Sequence, residues 1–338
     1  MTTMPAHAED ALRRALPFVE EAVASGRIPG AVLGVVTASG SRAVAARGFA
    51  QVDPERVPIA DGTVFDLASL TKPIATATAL LRRADQGLLD LDATLASVIP
   101  DLRYYDEGAP ERSLTIRACL GHRTFLPAVE PLYTYGQDPA TLRAFILQRA
   151  WAHGPPVYSD VNYMLLGIAL ERVDGQPLTA LDLPDGFTFR PDPATAAATE
   201  RCPWRGRMLR GEVHDENAFA LGGAAGHAGL FGRIGDVLGF AAGVLTGDGW
   251  SHAALAAVTT PVSETRTLGW EIRHPNWAGG QACSPGTIGH TGFTGTGLWI
   301  DRDGGLAWSL LTNRVHPSRF APSGIMPLRR AVGEAACS

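Results

Sequence analysis

Strand-like runs lie near both ends of this chain, and helix-like runs fill its middle. Residues 31–37 (AVLGVVT) and 42–49 (RAVAARGF) are β-like runs joined through Ser39-Gly40-Ser41, the pattern of a hairpin. Toward the other end, TLGWEIR (267–273), GTGLWID (295–301) and LAWSLLT (306–312) read as strands, the last two joined by the turn Arg302-Asp303-Gly304-Gly305. Strands drawn from both ends around a helical stretch predict an antiparallel sheet into which a helical region is inserted. The expected fold class is α/β of the α+β kind. One domain spans 1–338, with a sheet subdomain from 1–65 and 255–338 and a mainly helical subdomain over 66–254.

The helices are placed by period and punctuation. Residues 8–25 put Leu12, Leu16, Val19 and Val23 on one face and stop at Gly26, with Pro29 just beyond. A second helix runs from Ser69 to Gln86 and closes at Gly87. A third covers 138–152, with Asp138 as N-cap and Pro139 at the first helical position. Further helices are expected over 162–174, ending at Gly175, and over 323–336. The Pro-, Ala- and Arg-rich stretch 184–211 reads as the most loop-like segment.

Composition narrows the function. A chain of 338 residues with 46% apolar content can bury a large core. A net charge of −5 and the lack of a basic run argue against nucleic acid or an anionic membrane surface as partner, and so toward a small molecule. No stretch reaches the ~18 apolar residues of a spanning helix. The start, MTTMPAHAEDALRR, has no hydrophobic signal core, so a cytoplasmic location is expected unless a leader has been removed. Cys119, Cys202, Cys283 and Cys337 are scattered and read as buried thiols. No cofactor motif is found, and oligomeric state is not encoded in any visible pattern.

Lys72 is the only lysine; every other basic residue is arginine. Ser69 lies three positions before it, on the same face of a helix starting near 69. A serine hydroxyl is a poor nucleophile until a base takes its proton. Arginine stays protonated and cannot serve, whereas lysine can once burial or a nearby cation lowers its pKa from about 10.4. A single Ser-x-x-Lys also arises by chance, so other pieces must agree with it.

Two do. In VYSDVNYMLLG, Tyr158 and Asp160 immediately precede a helix, and a tyrosine beside cations can relay protons. Taken alone, a tyrosine in such a place is more often a packing residue with a bonded hydroxyl. In IGHTGFTGTG, His290 and Thr291 end a β-like run, and the glycines after them let a ligand approach the backbone closely.

Ser-x-x-Lys early, Tyr-x-Asp/Asn in the middle and Lys/His-Thr-Gly on a late strand form the signature of the penicillin-recognising serine hydrolases. The chain resembles that family over nearly its whole length: class C-type β-lactamases, DD-peptidases and related esterases. GEVHDENAFALGGAAGHAGLF (211–231) and LLTNRVHP (310–317) look like a subgroup with peptidoglycan-fragment hydrolases and low-molecular-weight penicillin-binding proteins. The resemblance implies the β-lactamase/DD-peptidase-like fold: a sheet covered by the terminal helices, a helical subdomain beside it, and the active site between. It implies Ser69 as nucleophile, Lys72 as its base, and Tyr158 as the group that protonates the leaving group and activates the deacylating water. It implies substrate binding by Asp160 and by His290, Thr291, Gly292 and Phe293, with the N–H groups of Ser69 and Phe293 as the oxyanion hole.

The sequence departs from the pattern at two positions. Asp160 stands where many relatives have asparagine, and His290 where many have lysine. His290 lacks the fixed charge that would hold a substrate carboxylate. Asp160 needs a partner, and Lys72 is the natural one, which would raise the lysine pKa. His214, Asp215 and His227 suggest a metal site but match no ligand spacing, so a structural loop near the cleft is preferred. His122 marks a loop after a short helix. The expected activity is acyl-enzyme hydrolysis of muropeptide amides or small carboxylic esters, with weak β-lactam turnover third and a non-turnover penicillin sensor as the competing class.

Overall fold

Strand β1 (Gly30–Thr37) is buried along all eight residues, the mark of a strand covered on both faces. The structure, a computed structural model, describes residues 7–338. With β2 (Arg42–Gln51), β3 (Val57–Pro58), β4 (Glu271–Ile272), β5 (Ile288–Thr291), β6 (Gly297–Asp301) and β7 (Leu306–Thr312), β1 builds a seven-stranded sheet in the order β3-β2-β1-β7-β6-β5-β4. Every pairing is antiparallel. The early and late strands meet at the centre, where β1 pairs with β7 and Val35 opposes Trp308.

Alternation along β1 assigns its side chains to two cores. Leu33 and Val35 face a layer with Trp277, Trp299 and Trp308, covered by helix α1 (Ala8–Ala24) and by the C-terminal helix Ile325–Cys337. Val32 and Val36 face the larger core, which includes helix Ile234–Thr246 and the helical region beyond it. Trp299 and Trp308 stack with centroids 5.9 Å apart and are fully buried. Truncating either to alanine should cost about 3–5 kcal/mol.

Several expected elements differ in detail. The buried stripe of α1 is Ala8, Ala11, Ala15, Val19 and Ala22, while Leu12, Leu16 and Val23 only flank it; small residues let the helix sit close to the sheet. TLGWEIR is a strand only at Glu271–Ile272. The helix expected over 138–152 ends at Gln148, because Arg149 turns extended, and Trp151 N–H then goes to the buried Glu111 carboxylate at 2.9 Å. The loop-like stretch 184–211 contains a hairpin, Ala198–Cys202 with Arg207–Arg210. Cys119, Cys202 and Cys283 are buried, and Cys337 is half-buried.

Candidate active site

Asp66, at the end of the short strand Phe65–Asp66, fixes the approach to Ser69. Its carboxylate is buried; Oδ1 accepts the Ala68 N–H at 2.8 Å and Oδ2 the His214 N–H at 2.6 Å. Burial raises its pKa, and these two N–H groups and the His214 charge oppose the rise. Ala68 has φ +48°, a left-handed conformation that costs a side-chain-bearing residue on the order of 1 kcal/mol. The Asp66 bond, and Thr71 Oγ1 donating to Ala68 O at 2.6 Å, hold it there.

The expected single helix from Ser69 to Gln86 is three successive kinds of turn. Ser69 lies in a 3₁₀ turn, Ala68–Leu70; Lys72–Ala77 is π-helical; Thr78–Asp85 is α-helical and is followed by Gly87 at φ +70°. Pro73 has no N–H for the Ser69 carbonyl, which forbids the ordinary bond at this point. The π segment is pinned from outside: Thr76 Oγ1 donates to Gly226 O at 2.6 Å and Thr78 Oγ1 to Pro73 O at 2.9 Å.

Lys72 is fully buried. Its Nζ lies 2.9 Å from Ser69 Oγ, 3.2 Å from His227 O and 2.8 Å from Asp160 Oδ1, the last an ion pair. Its two hydrogen bonds go to Ser69 Oγ and His227 O, and Asp160 Oδ1 pairs with it by charge without a hydrogen bond's geometry. Burial lowers the lysine pKa, but Asp160 and then Tyr158 raise it by more, so the group sits above 10.5. The resting amine is therefore charged. Asp160 is placed by its helix, Asp160–Asp174, which starts two residues earlier than the sequence suggests because Ser159 is the N-cap and accepts the Asn162 N–H. A carboxylate in the first helical turn is favoured by the helix dipole.

Tyr158 lies between two cations: Lys72 Nζ and Arg266 Cζ are each 5.0 Å from its ring centroid. The ring of His122 is 4.6 Å away and that of His290 5.8 Å. His122, at φ +53° after the short helix Ile116–Leu120, accepts the Ser159 N–H on Nδ1 at 3.0 Å. His290 Nδ1 lies 3.0 Å from Thr291 O, so it carries the proton there; its Nε2 is buried with no partner. Burial first, and then Lys72 and Arg266, push both imidazoles well below 6.5, so both are neutral near pH 7.

Ser69, Tyr158, Asp160, His290, Thr291, Gly292 and Phe293 all line one cleft of ≈ 750 Å³, and Lys72 lies just beneath it. His290 and Thr291 end β5, and the turn after it is held by Arg329, whose guanidinium donates to Gly292 O at 2.8 Å and Thr296 O at 2.6 Å. Among the described residues no acceptor takes the Phe293 N–H. The Phe293 ring is half exposed; Arg314 lies 4.5 Å over it and also donates Nε–H to Phe293 O at 2.8 Å. His214, Asp215 and His227 do not converge: His214 pairs with Glu200 at 3.0 Å and His227 with Asp215 at 2.9 Å. Burial raises the Asp215 carboxyl, but His227 outweighs it, so the net shift is downward.

The profile of the family described as Beta-lactamase matches residues 17–332. The chain belongs to the Beta-lactamase family.

Among its relatives is a putative D-alanyl-D-alanine carboxypeptidase of Escherichia coli (strain K12), 34% identical, with 75% of this chain and 70% of that protein covered. Another is an N-acetylmuramyl-L-alanine amidase of Bacillus subtilis (strain 168), 30% identical, with 92% and 82% covered. The solved structure of EstCE1, a hydrolase with promiscuous acyltransferase activity, superposes with TM-score 0.74 at 21% identity over 98% of this chain and 99% of that one. A β-lactamase from Sulfitobacter sp. EE-36 gives 0.73 at 22%, covering 97% and 98%. The fold is the β-lactamase/DD-peptidase fold, and the protein is a Beta-lactamase-family serine hydrolase. Among the described residues no helix is long and apolar enough to cross a membrane.

Sequence motifs of the Beta-lactamase family did not reveal Arg266, Asp66 or Arg329. Arg266 sits in SETRTLGW, an unremarkable loop sequence. Arg314 was visible inside LLTNRVHP, but the string does not say that its guanidinium borders the cleft.

Proposed function

We propose that the protein hydrolyses amide bonds in carboxylated, peptidoglycan-derived peptides through an acyl-enzyme on Ser69. The observation that carries this reading is the 2.9 Å contact between Lys72 Nζ and Ser69 Oγ inside a cleft that also holds Tyr158 and Asp160. Passing one Lys72 proton to Asp160 across their 2.8 Å contact leaves a neutral amine. That amine takes the Ser69 proton as Oγ adds to the carbonyl carbon. The oxyanion is held by the N–H groups of Ser69 and Phe293, where losing one donor costs roughly 3–4 kcal/mol. As the C–N bond breaks, Tyr158 gives its proton to the departing nitrogen and is refilled from Lys72. Asp160 then returns its proton to the amine. Water repeats the sequence in reverse to release the acid.

The substrate class rests on charge and on relatives. Arg314 borders the cleft without a carboxylate partner among the described residues, and burial and then Arg319 act against its charge. It is suited to a substrate carboxylate, which the neutral His290 is not. The relatives named carboxypeptidase and amidase point the same way. A second reading, hydrolysis of small carboxylic esters, is favoured by the exposed Val129, Phe293 and Met326 at the same cleft. Incubation with a muropeptide mixture, p-nitrophenyl butyrate and a penicillin, each followed by intact-protein mass and product analysis, tests these. Turnover of muropeptides supports the first reading and turnover of the ester alone the second; a lasting penicillin adduct with no turnover points to a sensor. Absence of both turnover and a Ser69 adduct with all three would refute the acyl-enzyme.

A further inference from the structure

Three formal charges surround the Tyr158 phenol: Lys72 and Arg266 are positive and Asp160 is negative. Lys72 and Asp160 form an ion pair at 2.8 Å and largely cancel each other at the phenol. The two imidazoles beside the ring contribute no charge. His122 spends the Nδ1 lone pair on the Ser159 N–H. His290 spends its one proton on Thr291 O, and its Nε2 is buried where an added proton would meet neither water nor an acceptor. Glu271 lines the same cleft and is bridged to Arg266 through the backbone, but its carboxylate is held by His274 Nε2 at 2.7 Å. Tyr163 keeps its proton, donated to Leu120 O at 3.0 Å. What remains uncompensated is Arg266, whose guanidinium carbon lies 5.0 Å from the Tyr158 centroid and forms no ion pair with a described carboxylate.

We infer that Arg266 is a positioning residue: it supplies the net positive charge that favours a negative Tyr158 oxygen whenever that hydroxyl hands over its proton. The inference rests on the Tyr158 role proposed above. His290 stands on the third motif strand without a fixed charge, and Arg266, from the loop before β4, supplies one 5.0 Å from the Tyr158 centroid. An arginine suits the place because it keeps its charge under burial and lies flat against an aromatic face.

Deacylation of the butyryl-enzyme isolates this effect, because the butyryl group carries no charge that Arg266 could bind. Decay of the adduct formed from p-nitrophenyl butyrate is followed by intact-protein mass in the parent, Arg266→Gln, Arg266→Lys, Tyr158→Phe and the Tyr158→Phe/Arg266→Gln double variant. The expected result is decay about 10- to 100-fold slower in Arg266→Gln. Most of the rate should return in Arg266→Lys, and Arg266→Gln should have little further effect on the Tyr158→Phe background. A parental rate in Arg266→Gln overturns the inference. So does an Arg266→Lys rate as low as that of Arg266→Gln, which would mark a role of shape, or a loss undiminished when Tyr158 is already gone. Tyr158→Phe decaying at the parental rate overturns the Tyr158 reading together with the inference, whereas a slow Tyr158→Phe beside a parental Arg266→Gln removes the inference alone. If Arg266→Gln does not fold, Arg266→Met in the same cycle gives the same decision.

Discussion

Asp160 Oδ1 lies 2.8 Å from Lys72 Nζ, so the only amine side chain in the protein rests as one half of an ion pair. Burial alone would have lowered the lysine pKa; the carboxylate reverses the sign. Asp160→Asn removes the largest raising influence and leaves burial in control. Asp160→Asn also removes the group that takes the Lys72 proton, so the neutral amine must then form by losing a proton to solvent, and the acid limb of kcat/KM for p-nitrophenyl butyrate should move to higher pH. A limb that stays in place, or moves to lower pH, would show that Asp160 does not take the Lys72 proton.

Lys72→Arg keeps the positive charge beside Asp160 but cannot release a proton. The burst of p-nitrophenol that reports acylation should slow by roughly 10²- to 10⁴-fold, the usual contribution of a general base. A burst at the parental rate would exclude Lys72 as the base for Ser69.

Gly292 carries the chain past the backbone that leads to Ser69. A Cβ there would collide with Thr296 Oγ1 and lie 2.5 Å from Leu67 O, a backbone atom that cannot swing aside. Gly292→Ala should cost about 1–3 kcal/mol in urea unfolding, as overpacking does, and should slow acylation by displacing the Phe293 N–H. Unchanged stability and rate would show that the turn can shift to admit a methyl group.

Arg314→Met keeps apolar contact with the Phe293 ring while removing the charge and the Nε–H bond to Phe293 O. For a peptide bearing a free carboxylate, KM should rise about 10- to 100-fold, matching the ~1.5–3 kcal/mol of a charge-assisted hydrogen bond. KM for the uncharged butyrate ester should change little. Equal losses on both substrates would argue against carboxylate binding at Arg314.

Glu200 gives a pH signature of stability. Burial raises its carboxyl, but hydrogen bonds from His214 and Arg319 outweigh this and hold it at about 2, below the ordinary 4.5. A depressed carboxylate stabilises the fold above its unfolded pKa and loses that contribution as pH falls toward the folded one. The urea midpoint of the parent should therefore exceed that of Glu200→Gln by most at pH 6–7, and the gap should narrow as the pH falls from about 4.5 toward 2. A gap independent of pH would assign the difference to packing alone.

Much of the fold was legible because it is written locally. LAWSLLT is the strand Leu306–Thr312 to the residue, and Asp138 caps its helix through the Thr141 N–H. Element ends were less legible: the central helix starts at Asp160, capped by Ser159, rather than at 162, and Pro73 breaks the pattern after Lys72. Both depend on which backbone groups find partners far along the chain, such as Thr76 with Gly226. Within the site, the spacing of Ser69 and Lys72 was readable because one helical turn joins them. Asp66, Arg266 and Arg329 follow no spacing rule, and the neutrality of His290 follows from enclosure, which composition does not record.

By itself, then, the sequence determined which segments become strands and helices and which serine and amine stand one turn apart, because periodicity and turn chemistry act over a few residues. The Asp160–Lys72 pair was expected from the sequence; tertiary structure alone decided the rest of the charge around it, with Arg266 against Tyr158 and two histidines kept neutral. Coulomb and desolvation energies depend on distances through space, and those distances exist only once segments far apart in the chain have packed around one cleft.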